Sequence, residues 1–169
     1  MFDALGVDEE EMALKEGPKY LLFYLNGELL GLFSSKIREI VELPKVTKVP
    51  WMQESLCGVC NIRGSVVGVV DTSWLLMQQP FEQTQKSSLV LVDVAFEGKE
   101  ESVGLIVDEV FEVEVFEPER LQETPNFGLA FDSKYVQSMA KYEESHIPIL
   151  SLERLLCFEE LARVEAGNA

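Results

Sequence analysis

Short apolar runs separated by turn signals divide this chain, and their spacing restricts it to a fold built from short strands. Residues 20–25 and 29–33 form the clearest pair, because Asn26 and Gly27 stand between them. Both of these residues accept the positive φ that a type I′ turn requires, so the two runs are predicted to form a β-hairpin.

Further strands are predicted at intervals after this hairpin. The candidates are residues 46–49, 66–70, 89–96, 103–107, 111–115, 136–142 and 146–150, with residues 37–43 as either a strand or a bent segment. The run 66–70 is predicted to be buried, and 89–96 is predicted to pair with 103–107 as a second hairpin. Two polar stretches, 78–87 and 118–134, are predicted to be loops.

Helical signals are few. One turn is predicted over residues 51–55, and Asp71, Thr72 or Ser73 is placed to cap a short helix over residues 74–77. Ser151 is placed to cap a terminal helix over residues 151–165, where leucines recur at helical spacing. Because helices do not alternate with strands, the pattern predicts a mainly β fold of small barrels or a sandwich, and it excludes a parallel α/β sheet.

Charge restricts the partners of this chain. Its 14 basic and 30 acidic residues give a net charge of −16, which repels phosphate backbones and anionic lipid surfaces. We therefore expect no nucleic-acid binding and no direct membrane insertion. Residues 1–17 are predicted to be an acidic tail without the features of a signal peptide, and the cysteine content favours reduced thiols in a cytoplasmic protein.

One arginine stands between glycines, in the segment Gly58-Val59-Cys60-Asn61-Ile62-Arg63-Gly64. Glycine permits a tight turn or a close backbone approach, so Arg63 is predicted to project from the end of a strand, where a partner can reach it. The alternative is that Arg63 only pairs with Asp71 or with another carboxylate of the chain. The segment by itself leaves both interpretations open.

Cys57 and Cys60 have the spacing of a redox or zinc motif. A zinc site needs further ligands, and only Cys157 and His146 are available as soft ligands, so the fold would have to bring all four together. The simpler interpretation is that these thiols are small apolar core residues. His146 has no neighbouring pattern that identifies a catalytic triad, and adjacent acids such as Glu100 and Glu101 are predicted to be solvated.

Taken together, several of these segments resemble the CheW-like domain, the coupling module of bacterial chemosensory arrays. The resemblance rests on the order and spacing of these residues: Phe23-Tyr24-Leu25, Ile37-Arg38-Glu39-Ile40, Pro50, Gly58, Asn61-Ile62-Arg63-Gly64, Asp71 and the run Val-Gly-Leu-Ile-Val-Asp-Glu-Val over 103–110. Two positions depart from the family pattern. Gly68 stands where proline is common, and an acid is usual near Ser151.

The resemblance implies two packed SH3-like five-stranded β-barrels with a C-terminal α-helix, formed by residues 18–169 as two intertwined subdomains. It implies a non-enzymatic adaptor without a cofactor, located in the cytoplasm at receptor arrays. The adaptor would couple the cytoplasmic tips of methyl-accepting chemotaxis receptors to the regulatory domain of the histidine kinase CheA. The family's receptor-binding positions correspond here to Ile37, Glu39, Gly58, Asn61 and Arg63, and its kinase-binding surface to Val46 and Thr47.

Two alternatives remain open at this point. The first is a CheW-like paralogue that serves a type IV pilus or another non-flagellar chemosensory pathway, and the second is a thiol or zinc sensor on the same barrels. The residues after Leu161 are too few for a receiver domain, so we expect a stand-alone adaptor.

Overall fold

A computed structural model describes residues 16–50, 56–96, 98–125 and 128–156. Within these ranges the chain forms eleven strands, β1 to β11: Lys19–Leu25, Glu28–Phe33, Ile37–Glu42, Leu56–Ile62, Ser65–Val70, Ser88–Phe96, Lys99–Val107, Glu109–Val115, Leu121–Gln122, Val136–Tyr142 and Ser145–Leu150. Two short helices accompany them, α1 at Thr72–Met77 and α2 at Leu152–Leu155. The mainly β fold predicted from the sequence is confirmed.

The strands form two sheets, and the chain passes from one to the other and back. One sheet has the order β3-β6-β7-β5-β4, and the other has the order β8-β1-β2-β11-β10-β9. We call them barrel one and barrel two. Barrel one has five strands, whereas barrel two has five long strands and the two-residue β9. The first hairpin has the predicted turn, since Asn26 and Gly27 have φ values of 50° and 82°.

Barrel one is closed by a main-chain contact between β4, one of its outer strands, and the segment that follows β3, the other outer strand. After β3 the chain returns to β4, where the amide of Thr47 donates to the carbonyl of Val59 and the amide of Val59 donates to the carbonyl of Thr47, both at 2.8 Å. Gly58 makes this approach possible, because a Cβ atom at its position would lie 2.2 Å from the carbonyl oxygen of Thr47. Its φ of 149° is also one that side-chain-bearing residues rarely adopt.

Barrel two is closed largely by side chains. The guanidinium of Arg120 donates to the carbonyl of Val115 at 3.1 Å and to the carbonyl of Lys141 at 2.8 Å, so it joins the end of β8 to β10. The same guanidinium lies 4.7 Å from the ring centre of Phe116. The hydroxyl of Tyr142 donates to the carboxylate of Glu112 across the same gap, and this hydrogen bond is the main cause of a raised pKa for Tyr142.

Three apolar clusters fill the interior. Barrel one and barrel two each contain one, and a larger cluster joins the two barrels. Strand β1 contributes to two of them, because Tyr20 and Leu22 face the interior of barrel two, whereas Leu21 and Phe23 face the shared cluster. Strands buried on both faces lack a polar side, which explains the continuous apolar runs in the sequence.

Several local predictions need correction. Residues 46–49 do not form a strand, because only the isolated bridge of Thr47 with Val59 is present. The run 66–70 is not buried throughout, since Val66 at the start of β5 is 74% exposed. The loop predicted over 118–134 contains β9 and two short 3₁₀ turns.

Of the three residues predicted as possible caps of α1, Asp71 is the cap, and Ser151 caps α2 as predicted. The carboxylate of Asp71 accepts from the amide of Trp74 at 3.0 Å, and the hydroxyl of Ser151 accepts from the amide of Arg154 at 3.4 Å. The terminal helix is described as far as Leu155, and the rest of the predicted helix lies outside the described residues, as do the acidic residues 1–15 and the predicted turn at 51–55. Neither helix has the length and apolar character that a membrane span requires in the part of the chain described.

We predict that Gly58→Ala destabilises the protein by about 2 to 4 kcal/mol, because the new methyl group would collide with the Thr47 carbonyl and the positive φ would be strained. Urea unfolding followed by circular dichroism measures this change. Gly68→Ala is the matched control, since a Cβ there would meet nothing within 4 Å, and its effect should stay within about 1 kcal/mol. Equal effects of the two substitutions would contradict the role given to Gly58.

Candidate functional site

The turn between β4 and β5 presents Arg63 at one end of barrel one. Ile62 pairs with Ser65, so Arg63 and Gly64 are the two turn residues, with φ values of 50° and 87°. The side-chain oxygen of Asn61 accepts from the amide of Gly64 at 2.9 Å and holds the turn. An arginine with positive φ is uncommon, and residues in costly backbone conformations are concentrated at functional sites.

Arg63 is paired with Glu39 on β3. Its two terminal nitrogens donate to the two carboxylate oxygens of Glu39 at 2.7 and 2.6 Å, in the bidentate geometry that makes such pairs strong and directional. The Arg63 side chain is 74% exposed and that of Glu39 only 16% exposed. The carboxylate therefore fixes the guanidinium from beneath while one side of the guanidinium stays open to water.

Asp71 is not the partner of Arg63. It is buried, and besides capping α1 its carboxylate accepts from the amide of Phe81 at 3.2 Å. Burial raises the pKa of this carboxyl, and the two hydrogen bonds from backbone amides oppose that rise. The prediction that Arg63 pairs with Asp71 is therefore wrong. The other possibility, a pair with a different carboxylate of the chain, is what the structure shows, and that carboxylate belongs to Glu39.

The five positions assigned to receptor binding divide into two groups. Glu39, Asn61 and Arg63 lie together at the surface around the turn. Ile37 is 3% exposed and packs in the shared cluster, and Gly58 is buried against Thr47. These two residues support the surface from beneath, and of the five predicted positions only the other three have side chains at or near that surface.

A groove of about 440 Å³ opens beside Arg63, and we call it the hairpin groove. Its wall includes Arg38, Glu39, Arg63, Val66, Glu100 and Glu101. The sequence did not indicate Val66 or the two glutamates as members of this surface. They join it because β5 and β7 are parallel neighbours, a pairing between distant segments that no local pattern reveals.

Val46 and Thr47, predicted to bind the kinase, lie beside the middle of β4, where Thr47 pairs with Val59. The side chain of Thr47 is exposed, while Val46 is half-buried against the interior of barrel one. Val59, which pairs with Thr47, precedes Arg63 by four residues, or about 13 Å along a strand. Both predicted surfaces are therefore adjacent to β4.

Cys57, Cys60 and His146, which lie within the described ranges, do not form a site with one another. Cys60 is 4% exposed within the interior of barrel one, and the thiol of Cys57 donates to the carbonyl of Val69 at 3.6 Å. His146 is exposed on β11 of barrel two, away from both, and Cys157 lies outside the described residues. Across the described ranges, no three His, Cys, Asp or Glu side chains come together as metal ligands.

Burial, followed by the charge of Asp71, raises the pKa of Cys57 to about 11. At pH 8 such a thiol has on the order of 100-fold less thiolate than an unfolded cysteine. We therefore predict that iodoacetamide modifies Cys57 at least about tenfold more slowly in the native protein than in urea, as measured by peptide mass spectrometry. Rapid selective labelling of native Cys57 would instead support a thiol sensor.

Comparison with known proteins identifies the family. The sequence model of the CheW-like domain family matches residues 19–160. The chain is 26% identical to chemotaxis protein CheW of Klebsiella aerogenes, over 88% of this chain and 87% of that protein, and 27% identical to that of Bacillus subtilis, over 85% and 89%. The crystal structure of the scaffolding protein TtCheW from Thermoanaerobacter tengcongensis is similar, with a TM-score of 0.74 and 27% identity over 84% of this chain and 89% of that one. Both barrels are therefore SH3-like, and the chain belongs to the CheW-like domain family.

Proposed function

We propose that this protein is a non-enzymatic adaptor of a chemosensory array, which couples the cytoplasmic tips of chemoreceptors to the histidine kinase CheA. Membership in the CheW-like family supports a role as a chemotaxis scaffold. An adaptor requires two separate surfaces on one rigid body, and the fold provides a rigid body in which a shared apolar cluster joins the two barrels. This role places the protein in the cytoplasm, beside the receptors.

The observation that carries the proposal is the bidentate pair of Glu39 and Arg63 at the rim of a groove. An exposed arginine normally samples many rotamers, and fixing it costs conformational entropy that an isolated surface pair scarcely repays. Here the turn and the carboxylate of Glu39 hold the guanidinium of Arg63 in position before a partner binds. A partner helix that binds it therefore loses less entropy, which is the usual benefit of a preorganised interface.

The segment of Val46 and Thr47, beside the middle of β4, is the proposed contact for the regulatory domain of CheA. Thr47 has its main-chain groups engaged with Val59, so a partner meets its exposed side chain beside the half-buried Val46. Small contacts of this kind are typical of transient signalling complexes. Gly58, which packs against Thr47, and Arg63 lie on the same hairpin, so one structural element supports both the proposed kinase contact and the proposed receptor contact.

We predict that Arg63→Ala weakens binding to a recombinant receptor cytoplasmic fragment by about 1 to 3 kcal/mol, the range of an interface anchor. The substitution removes the guanidinium and leaves the carboxylate of Glu39 without its partner. Isothermal titration calorimetry measures the change. Circular dichroism should show an unaltered fold, and co-purification with CheA should persist, since the kinase surface is separate.

Lys141→Ala provides the control, because it removes one exposed positive charge from barrel two without affecting the hydrogen bond that the Lys141 carbonyl accepts. Its affinity for the receptor fragment should equal that of the wild type. If Arg63→Ala also binds like the wild type, receptor docking does not involve this hairpin. If the wild type binds neither receptor fragments nor CheA, the adaptor function itself is wrong.

A further inference from the structure

An apolar groove lies between the two barrels, at the point where the described chain ends. Its volume is about 430 Å³, and we call it the inter-barrel groove. It borders the hairpin groove across one ion pair, since Arg38 lines the hairpin groove and Asp93 lines the inter-barrel groove. The apolar part of its wall comes from β2, β6 and α2, with Leu32, Phe33, Val94, Ala95, Leu152 and Leu156 as members.

This apolar wall is only partly covered by the described residues. Phe33 is 40% exposed, although its ring packs on Tyr20 with 5.2 Å between the ring centres. Val94 and Leu152 are half-buried. Apolar side chains grouped around a concave surface mark a contact site, whereas the same side chains scattered singly do not. We therefore expect an apolar occupant in the inter-barrel groove.

The chain itself leads into this groove. Helix α2 ends at Leu155, and Leu156 has a φ of −112° and a ψ of 59°, which lie outside the helical range. Leu156 lines the groove, so the chain leaves the direction of the helix at the groove wall. Phe158 and Leu161 follow by two and five residues, and an extended chain places them at most about 7 and 17 Å from Leu156. Both residues can therefore reach the groove.

Tethering favours this segment, residues 157–164, over a separate molecule. A segment attached beside a site has an effective concentration in the millimolar range, which a free partner in the cell rarely reaches. The segment has Phe158, Leu161 and Val164 at every third position, and residues three positions apart share one side of a helical turn. A second copy is a weaker candidate, because two chains of net charge −16 repel each other.

From this arrangement we infer that residues 157–164 fill the inter-barrel groove of their own chain. Phe158 and Leu161 pack between the two barrels, against the wall that Phe33 forms on one side and the wall that Val94 forms on the other. The segment thus acts as a strap that closes the groove. A molecule that enters the space between the barrels must first displace the strap, so the protein itself controls access to this space.

Disulfide trapping tests where the segment lies. In a chain that carries Cys157→Ser, the pair Ala95→Cys/Leu161→Cys places one thiol on the groove wall and the other on the segment. Lys134→Cys/Leu161→Cys is the matched control, because Lys134 is exposed beside α2, where its carbonyl accepts from Arg154 at 3.3 Å, but is outside the groove lining. Under mild oxidation we expect the first pair to form an intramolecular disulfide at least about fivefold faster, as measured by mass spectrometry.

Two results of this experiment would overturn the inference. Equal rates for the two pairs would show that the segment does not dock in the groove. A disulfide that joins two chains through Ala95→Cys and Leu161→Cys would show that the segment of a second copy fills the groove.

Shortened chains provide a second test. A chain that ends at Leu156 lacks the strap, so we expect its Tm to fall by about 4 to 8 °C and the dye ANS to bind the uncovered apolar wall. A chain that ends at Val164 is the control and should match the full chain in both measurements. If the chain that ends at Leu156 also matches the full chain, the groove awaits another molecule and the inference is wrong. Neither test depends on receptor or kinase binding, so the proposed function stands or falls separately.

Discussion

The close approach of Gly58 to the Thr47 carbonyl is the contact on which the rest of barrel one depends. It brings the segment that follows β3 against β4, so the two ends of the five-stranded sheet are joined through one main-chain bridge. Closure fixes the position of β4, and β4 in turn positions the turn that presents Arg63. A requirement at one buried glycine therefore controls the geometry of a surface about 16 Å away along the strand.

Interior packing gives this geometry its rigidity. The shared apolar cluster includes residues of β1, β3, β6 and β7, so neither barrel can move against the other without exposing apolar surface. Ile37 and Glu39 show how closely packing and surface are connected. They lie two positions apart on β3, where regular pairing would put both side chains on the same face. The pairing with β6 is irregular between them, and Ile37 is in the core while Glu39 contacts Arg63.

Local chemistry was predictable from the sequence, whereas contacts between distant segments were not. The Asn26-Gly27 turn and the caps at Asp71 and Ser151 follow from rules that span a few residues, and all three are confirmed. Arg63 was identified, but its partner lies 24 positions away and many carboxylates were available. Val66 was assigned to the core because hydrophobicity alone cannot show which end of a strand extends beyond its neighbours.

Main-chain hydrogen bonds close barrel one, whereas side-chain hydrogen bonds help to close barrel two. This difference determines which surface residues can be substituted without opening a barrel. The bond between Thr47 and Val59 uses only main-chain groups, so the side chain at position 47 is not tied to closure. Under the proposed function, a mutation there changes the kinase contact while the barrel stays closed. Arg120 has no such freedom, because its guanidinium itself joins β8 to β10. Duplicated copies of this gene would therefore be expected to diverge sooner at residue 47 than at residue 120.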